Sequence, residues 1–214
     1  MKLTEEHLVS AVILSGGRGS RMSFRDKGLQ IFKKKPLIQH VIDRLQSQVT
    51  EIVISHNRNQ EDYLQFGLPL VTDGNTDGDT DFLGPLSGIL SCRSKINQIL
   101  CFITPCDVPN IPNDLVAMMR SKIGKHDAIC LSSDGRIQPL PLLIKTQAID
   151  SIEQYLLKGN RSVKKWLESL DVLTLEVPGV TLDNINDLED LSRSEDASRL
   201  GAGDFATPTK KPSS

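Results

Sequence analysis

The run Val9-Ser10-Ala11-Val12-Ile13-Leu14 stops at Ser15-Gly16-Gly17, and this junction constrains the fold more than any other stretch of the chain. A short, near-continuous apolar run bounded by a glycine turn reads as a strand buried on both faces, the kind found in parallel sheets. Parallel strands need long crossovers. The chain supplies one at once: Leu37, Ile38, Val41, Ile42 and Leu45 recur at helical spacing after Pro36, a residue suited to the first helical position. The same alternation predicts strands at 52–54, 68–71, 99–104, 128–131, 137–144 and 172–177, with helices at 60–66, 86–96, 113–119, 148–157 and 162–170. The expected class is α/β, a three-layer Rossmann-like architecture with a mostly parallel sheet and helices on both faces. In such sheets ligands bind beyond the carboxyl ends of the strands. Residues 1–191 are expected to form one domain. The Ser-, Asp-, Gly- and Pro-rich stretch 192–214 is expected to be a disordered tail.

Charge narrows the partners. The 214 residues carry 25 Lys and Arg against 27 Asp and Glu, a formal charge of -2, which disfavours a broad basic surface for nucleic acid. Aromatics are 4%, too few for stacking platforms. No window holds eighteen apolar residues, and Glu5 and Glu6 interrupt the amino terminus where a signal peptide needs an apolar core. A cytoplasmic protein with neither nucleic-acid nor membrane partner is expected. The balance is an average over opposites: residues 18–35 hold seven Lys or Arg and one Asp, whereas 72–81 hold four Asp and no base. Cys92, Cys101, Cys106 and Cys130 form no C-x-x-C pair and read as buried free thiols, with Cys101 and Cys130 inside strand-like runs.

The chemistry-bearing stretch is Leu14-Ser15-Gly16-Gly17-Arg18-Gly19-Ser20-Arg21-Met22, followed by Asp26-Lys27-Gly28. Glycines after a first strand let backbone N–H groups approach an anion, and Arg21 and Lys27 add charge where a phosphate chain would lie. No G-x-x-x-x-G-K-[ST] P-loop is present, and Met22 replaces the third glycine of a dinucleotide fingerprint. A glycine turn with solvated bases is the competing reading. Asp107, in Pro105-Cys106-Asp107-Val108-Pro109, falls at a strand's carboxyl end, where a carboxylate holds Mg²⁺ across from a triphosphate; a simple turn Asp is its alternative. Asp73 to Gly78 imitates the start of an EF-hand loop, but Gly84 stands where the bidentate Glu is needed. Residues 33–35 read as a solvated turn, and Trp166 with Leu167 as helix packing.

In order, Leu14-Ser15-Gly16-Gly17, Arg21-Met22, Asp26-Lys27-Gly28-Leu29, Lys35-Pro36-Leu37-Ile38-Gln39-His40-Val41, Asn57-Arg58-Asn59-Gln60-Glu61, Gly84-Pro85-Leu86-Ser87-Gly88, Pro105-Cys106-Asp107-Val108-Pro109 and Asn184-Ile185-Asn186 resemble the molybdenum cofactor guanylyltransferases (MobA), which have the nucleotide-diphospho-sugar transferase-like fold. The resemblance implies transfer of GMP from GTP to the phosphate of molybdopterin (Mo-molybdopterin), with release of pyrophosphate and Mg²⁺ as cofactor. It implies a nucleotide site of Leu14, Ser15, Gly16, Gly17, Lys27, Asp73 and Asp107, with Lys27, Arg21 and Asp107 catalytic and Asp107 the metal ligand. The acceptor side is implied at Gly84, Arg161, Asn184 and Asn186. Partners implied are GTP and molybdopterin as substrates, and transient contacts with molybdenum cofactor biosynthesis proteins and molybdoenzymes. Two departures stand out: Ser23-Phe24-Arg25 replaces the family's glycine pair, and Ser55 holds a place where the family tends to carry Asn. The alternatives are a cytidylyl- or sugar-phosphate nucleotidyltransferase of the same fold, or a nucleotide-binding protein without catalysis.

Overall fold

A computed structural model describes residues 9–16, 26–73, 84–133 and 136–176. Strand β1 (Val9–Leu14) is followed by a hairpin of β2 (Ile31–Phe32) and β3 (Lys35–Pro36), then α1 (Leu37–Leu45), β4 (Glu51–His56), α2 (Gln60–Leu64) and β5 (Leu70–Thr72). After α3 (Pro85–Ser91) come β6 (Leu100–Pro105), α4 (Leu115–Ile123), β7 (Ala128–Ser133), β8 (Arg136–Lys145), α5 (Ser151–Leu157), α6 (Val163–Leu167) and β9 (Val172–Glu176). Seven strands form one sheet in the order β5-β4-β1-β6-β8-β7-β9. All pairings are parallel except those of β8, which lies antiparallel to both β6 and β7.

Alternation along β1 explains the three layers. Val9, Ala11 and Ile13 face a cluster with Ile38, Val41 and Leu45 of α1, Tyr63 of α2 and Leu115, Val116 and Met119 of α4. Val12 and Leu14 face the opposite cluster, with Leu86 and Ile89 of α3, Ile152 of α5 and Trp166 of α6. Every residue of β1 is buried, as an interior parallel strand requires.

Several boundaries differ from the sequence expectation, each for a local reason. Pro36 ends β3 and caps α1 from outside at ψ 144°, so the helix begins at Leu37. The turn at Lys33 and Lys34 closes a hairpin with φ of 45° and 69°; two lysines carry none of the Asn-Gly signal that marks such turns. Lys35 belongs to β3. The helix expected at 113–119 begins at Leu115 and extends to Ile123, while the Asn113 amide oxygen accepts from Arg44 at 2.8 Å. The helix expected to reach 96 becomes a 3-10 turn at Cys92–Lys95, and Thr146–Asp150 is a second 3-10 turn before α5. All four cysteines are buried free thiols; burial pushes the Cys92 and Cys106 thiols up to about 12. The stretch 192–214 lies outside the described residues. Among the described residues no helix is long and apolar enough to cross a membrane.

Trp166 is fully buried on the α5–α6 side, and its indole N–H donates to Ser151 Oγ at 2.9 Å. Trp166→Ala should therefore lower unfolding stability by about 3–5 kcal/mol, read as a shift in the urea midpoint.

Candidate active site

Strands β5, β4, β1 and β6 run parallel, so Asp73, Asn57, Ser15-Gly16 and Cys106-Asp107 all emerge at one end of the sheet. Backbone hydrogen bonds tie these exits together. The Ser15 N–H donates to the Ser55 carbonyl at 2.8 Å, the Cys106 N–H to the Leu14 carbonyl at 3.0 Å, and the Asp73 N–H to the His56 carbonyl at 2.6 Å. Gly16 is crowded on one side: a Cβ there would lie 3.3 Å from Asn57 Nδ2 and 3.4 Å from Asp73 Oδ2. Gly88 in α3 approaches the same group, its missing Cβ falling 2.7 Å from Ser55 Oγ and 3.3 Å from Asp73 Oδ2. Burial pushes the Asp73 carboxyl above its ordinary value, partly offset by a hydrogen bond from Ser87. Asn57 Oδ1 is buried and has no hydrogen-bond partner among the described residues.

The second half of the site is the segment Asp26-Lys27-Gly28. Lys27 Nζ forms an ion pair with Asp107 Oδ2. The other carboxylate oxygen, Oδ1, is buried without a partner among the described residues. Gly28 passes so close to the β1 exit that a Cβ would lie 2.2 Å from Ser15 Oγ and 2.7 Å from the Tyr63 hydroxyl. A side chain cannot be accommodated there without moving a buried group.

Of the residues expected from sequence, Leu14, Ser15, Gly16, Lys27, Asp73 and Asp107 all lie at this end of the sheet. Gly84 precedes α3 at φ +79°, and its absent Cβ would sit 3.7 Å from the Arg161 carbonyl, which brings together two of the positions expected on the acceptor side. The Arg161 guanidinium donates to the carbonyls of Leu156 at 2.9 Å and Asn160 at 2.7 Å. Gly17, Arg21, Asn184 and Asn186 lie outside the described residues, as does the Gly74 to Gly78 part of the EF-hand-like run. Sequence reasoning gave no role to Asp26, Tyr63 or Asn59. Asp26 sits inside a quoted motif, but Tyr63 lies on a five-residue helix with no flag beyond its nearness to the Asn57–Glu61 stretch.

A family model described as "MobA-like NTP transferase domain" matches residues 11–173. The chain is 41% identical over 160 residues to a molybdenum cofactor guanylyltransferase from Shewanella halifaxensis, covering 74% of this chain and 78% of that protein. It is 37% identical over 186 residues to one from Pasteurella multocida, covering 85% and 96%. The chain belongs to the molybdenum cofactor guanylyltransferase family. Solved structures share the fold of this family member. Molybdopterin-guanine dinucleotide biosynthesis protein A from Archaeoglobus fulgidus superposes with a TM-score of 0.70 at 21% identity, covering 89% of this chain and 99% of that one. A 4-diphosphocytidyl-2C-methyl-D-erythritol synthase from Anaerococcus prevotii gives 0.72 at 12% identity, covering 91% and 100%.

For this guanylyltransferase family member, Gly28→Ala should lose about 1–3 kcal/mol of stability through overpacking, measured by thermal and chemical unfolding. Unchanged stability would mean that Ser15 and Tyr63 are not held where they are seen.

Proposed function

We propose that the protein transfers GMP from GTP to the phosphate of molybdopterin. An acceptor phosphate oxygen forms a bond to the α-phosphorus, the bond from that phosphorus to the bridging oxygen breaks, and pyrophosphate leaves with the electron pair. The observation that carries this reading is the meeting of Lys27 and Asp107 at the β6 exit, with one Asp107 oxygen left without a partner among the described residues. Both reactants are anions, so the protein's task is chiefly alignment and charge neutralisation.

The candidate residues divide that task among them. The bare backbone at Gly16 lets the nucleotide approach closely. Asp73 accepts two adjacent N–H groups well, and guanine presents that pair at N1 and N2 whereas cytosine, uracil and adenine do not. Asn57, beside it, offers an amide oxygen that has no partner among the described residues to the same base edge. Lys27 is paired with Asp107, and a triphosphate would compete for its ammonium. Gly84 and Arg161 are assigned to the acceptor, as are Asn184 and Asn186, which lie outside the described residues; Arg161 must release its two carbonyls to meet an anion. Arg21 and Gly17, outside the described residues, are assigned to the phosphates on the same reading.

Asp107 fits Mg²⁺, which takes one or two protein carboxylates and fills the rest of its shell with phosphate oxygens and water; the unpartnered Oδ1 is the oxygen available. When bound, the ion would neutralise phosphate charge. Contacts with molybdenum cofactor biosynthesis proteins and molybdoenzymes are transient on this reading, as delivery of a product requires.

Two results test the proposal. With GTP, molybdopterin and Mg²⁺, Asp107→Asn should slow pyrophosphate release by at least about 100-fold while the circular dichroism spectrum stays unchanged; turnover within a few-fold of the parent removes Asp107 from the site. Asp73→Asn should weaken GTP binding by about tenfold without lowering the melting temperature. Its raised carboxyl pKa means that folding favours the protonated form, so this group's contribution to stability is lost as pH rises through its titration.

A further inference from the structure

Behind Lys27 lies a buried chain of hydroxyls that runs from Ser15 to Tyr63. Ser15 Oγ and the Tyr63 hydroxyl are 2.5 Å apart. The Tyr63 hydroxyl donates to Asp26 Oδ1 at 2.7 Å, so its remaining lone pairs accept from Ser15. The same Asp26 oxygen accepts the Gly28 N–H at 3.2 Å, and Oδ2 accepts from Asn59 Nδ2 at 3.2 Å, with Arg58 Nε 4.0 Å away. Tyr63 is fully buried and its ring stacks on His56, with centroids 5.7 Å apart. Asn59 enters α2 with φ 54°, a left-handed conformation uncommon outside glycine.

This arrangement is costly as core packing. A buried carboxylate and phenol need desolvation, and a phenylalanine ring would fill the same space with no polar atom to satisfy. What the hydroxyl adds is a link between two segments: Ser15 at the β1 exit, and the residues on either side of Lys27. Asp26 and Gly28 are both held by this carboxylate, so the Lys27 backbone is fixed relative to Gly16. We propose that Tyr63, acting through Asp26, is a positioning residue that sets Lys27 in register with the Ser15-Gly16 turn for the nucleotide's phosphates. The proposal rests on Lys27 serving those phosphates. A phosphate contact misplaced by about an ångström costs as much as 100-fold in rate, so a link this short can matter without touching substrate.

A double-mutant cycle tests it: the parent, Tyr63→Phe, Lys27→Ala and the pair, each read as GTP affinity by a fluorescent GTP analogue and as pyrophosphate release with molybdopterin. Tyr63→Phe should lower turnover by about tenfold or more in the parent and by less than about twofold in Lys27→Ala, because the link has nothing left to position. The melting temperature of Tyr63→Phe should remain within a few degrees of the parent. Equal losses in both backgrounds overturn the proposal and leave Tyr63 a packing residue. If Tyr63→Phe folds poorly, Asp26→Ala carries the same cycle, since it removes the acceptor shared by the Tyr63 hydroxyl and the Gly28 N–H. A parent that binds GTP yet releases no pyrophosphate refutes guanylyl transfer alone, and the cycle is then decided on GTP affinity. A parent that binds none of GTP, CTP, ATP or UTP refutes both.

Discussion

Parallel pairing of β1 with β4 on one side and β6 on the other places every described element of the site. All six residues of β1 are buried and alternate between two different helical layers, so a slip of one residue would send Ile13 and Leu14 to the wrong layers and move Ser15 off the Ser55 carbonyl. Because β5, β4, β1 and β6 point the same way, their carboxyl ends deliver a hydrogen-bonding carboxylate, an amide, a bare backbone and a second carboxylate to one rim. The antiparallel β8 lies beyond β6 and leaves that rim undisturbed.

The polar groups at the rim contribute little to holding the fold together. The Lys27–Asp107 pair is largely buried, with side chains 23% and 11% accessible, so the desolvation of two charges offsets much of their mutual attraction. A single core residue such as Trp166 outweighs it severalfold. Stability alone therefore gives little reason for the pair, and the proposed transfer supplies one: an ammonium and a carboxylate oxygen placed for a polyphosphate. The crowding at Gly16, Gly28 and Gly88 points the same way: backbone is brought within contact distance of side chains that would otherwise be screened by a Cβ.

Much of this was legible in the sequence because periodicity and turn chemistry are local. The strand at Val9–Leu14 and the placement of Asp107 after β6 follow from an apolar run ending in glycine and another ending between prolines. The β2–β3 hairpin was not legible, since its turn uses Lys33 and Lys34 in left-handed conformations that their residue types do not advertise. Tyr63 was missed for a different reason: its partners Ser15 and Asp26 lie 48 and 37 residues away, and only the folded sheet brings α2 against the β1 exit. The pairing of Asn57 with Asp73 around Gly16 likewise depends on the parallel register of β4 and β5.

The most direct measurement is the identity of the product formed from molybdopterin and Mg²⁺ when GTP, CTP, ATP and UTP are supplied separately. Guanylyl transfer at the Asp73–Asn57–Gly16 rim predicts a guanine dinucleotide and pyrophosphate from GTP, with little product from the others. A cytosine dinucleotide formed from CTP at equal or greater rate would contradict it.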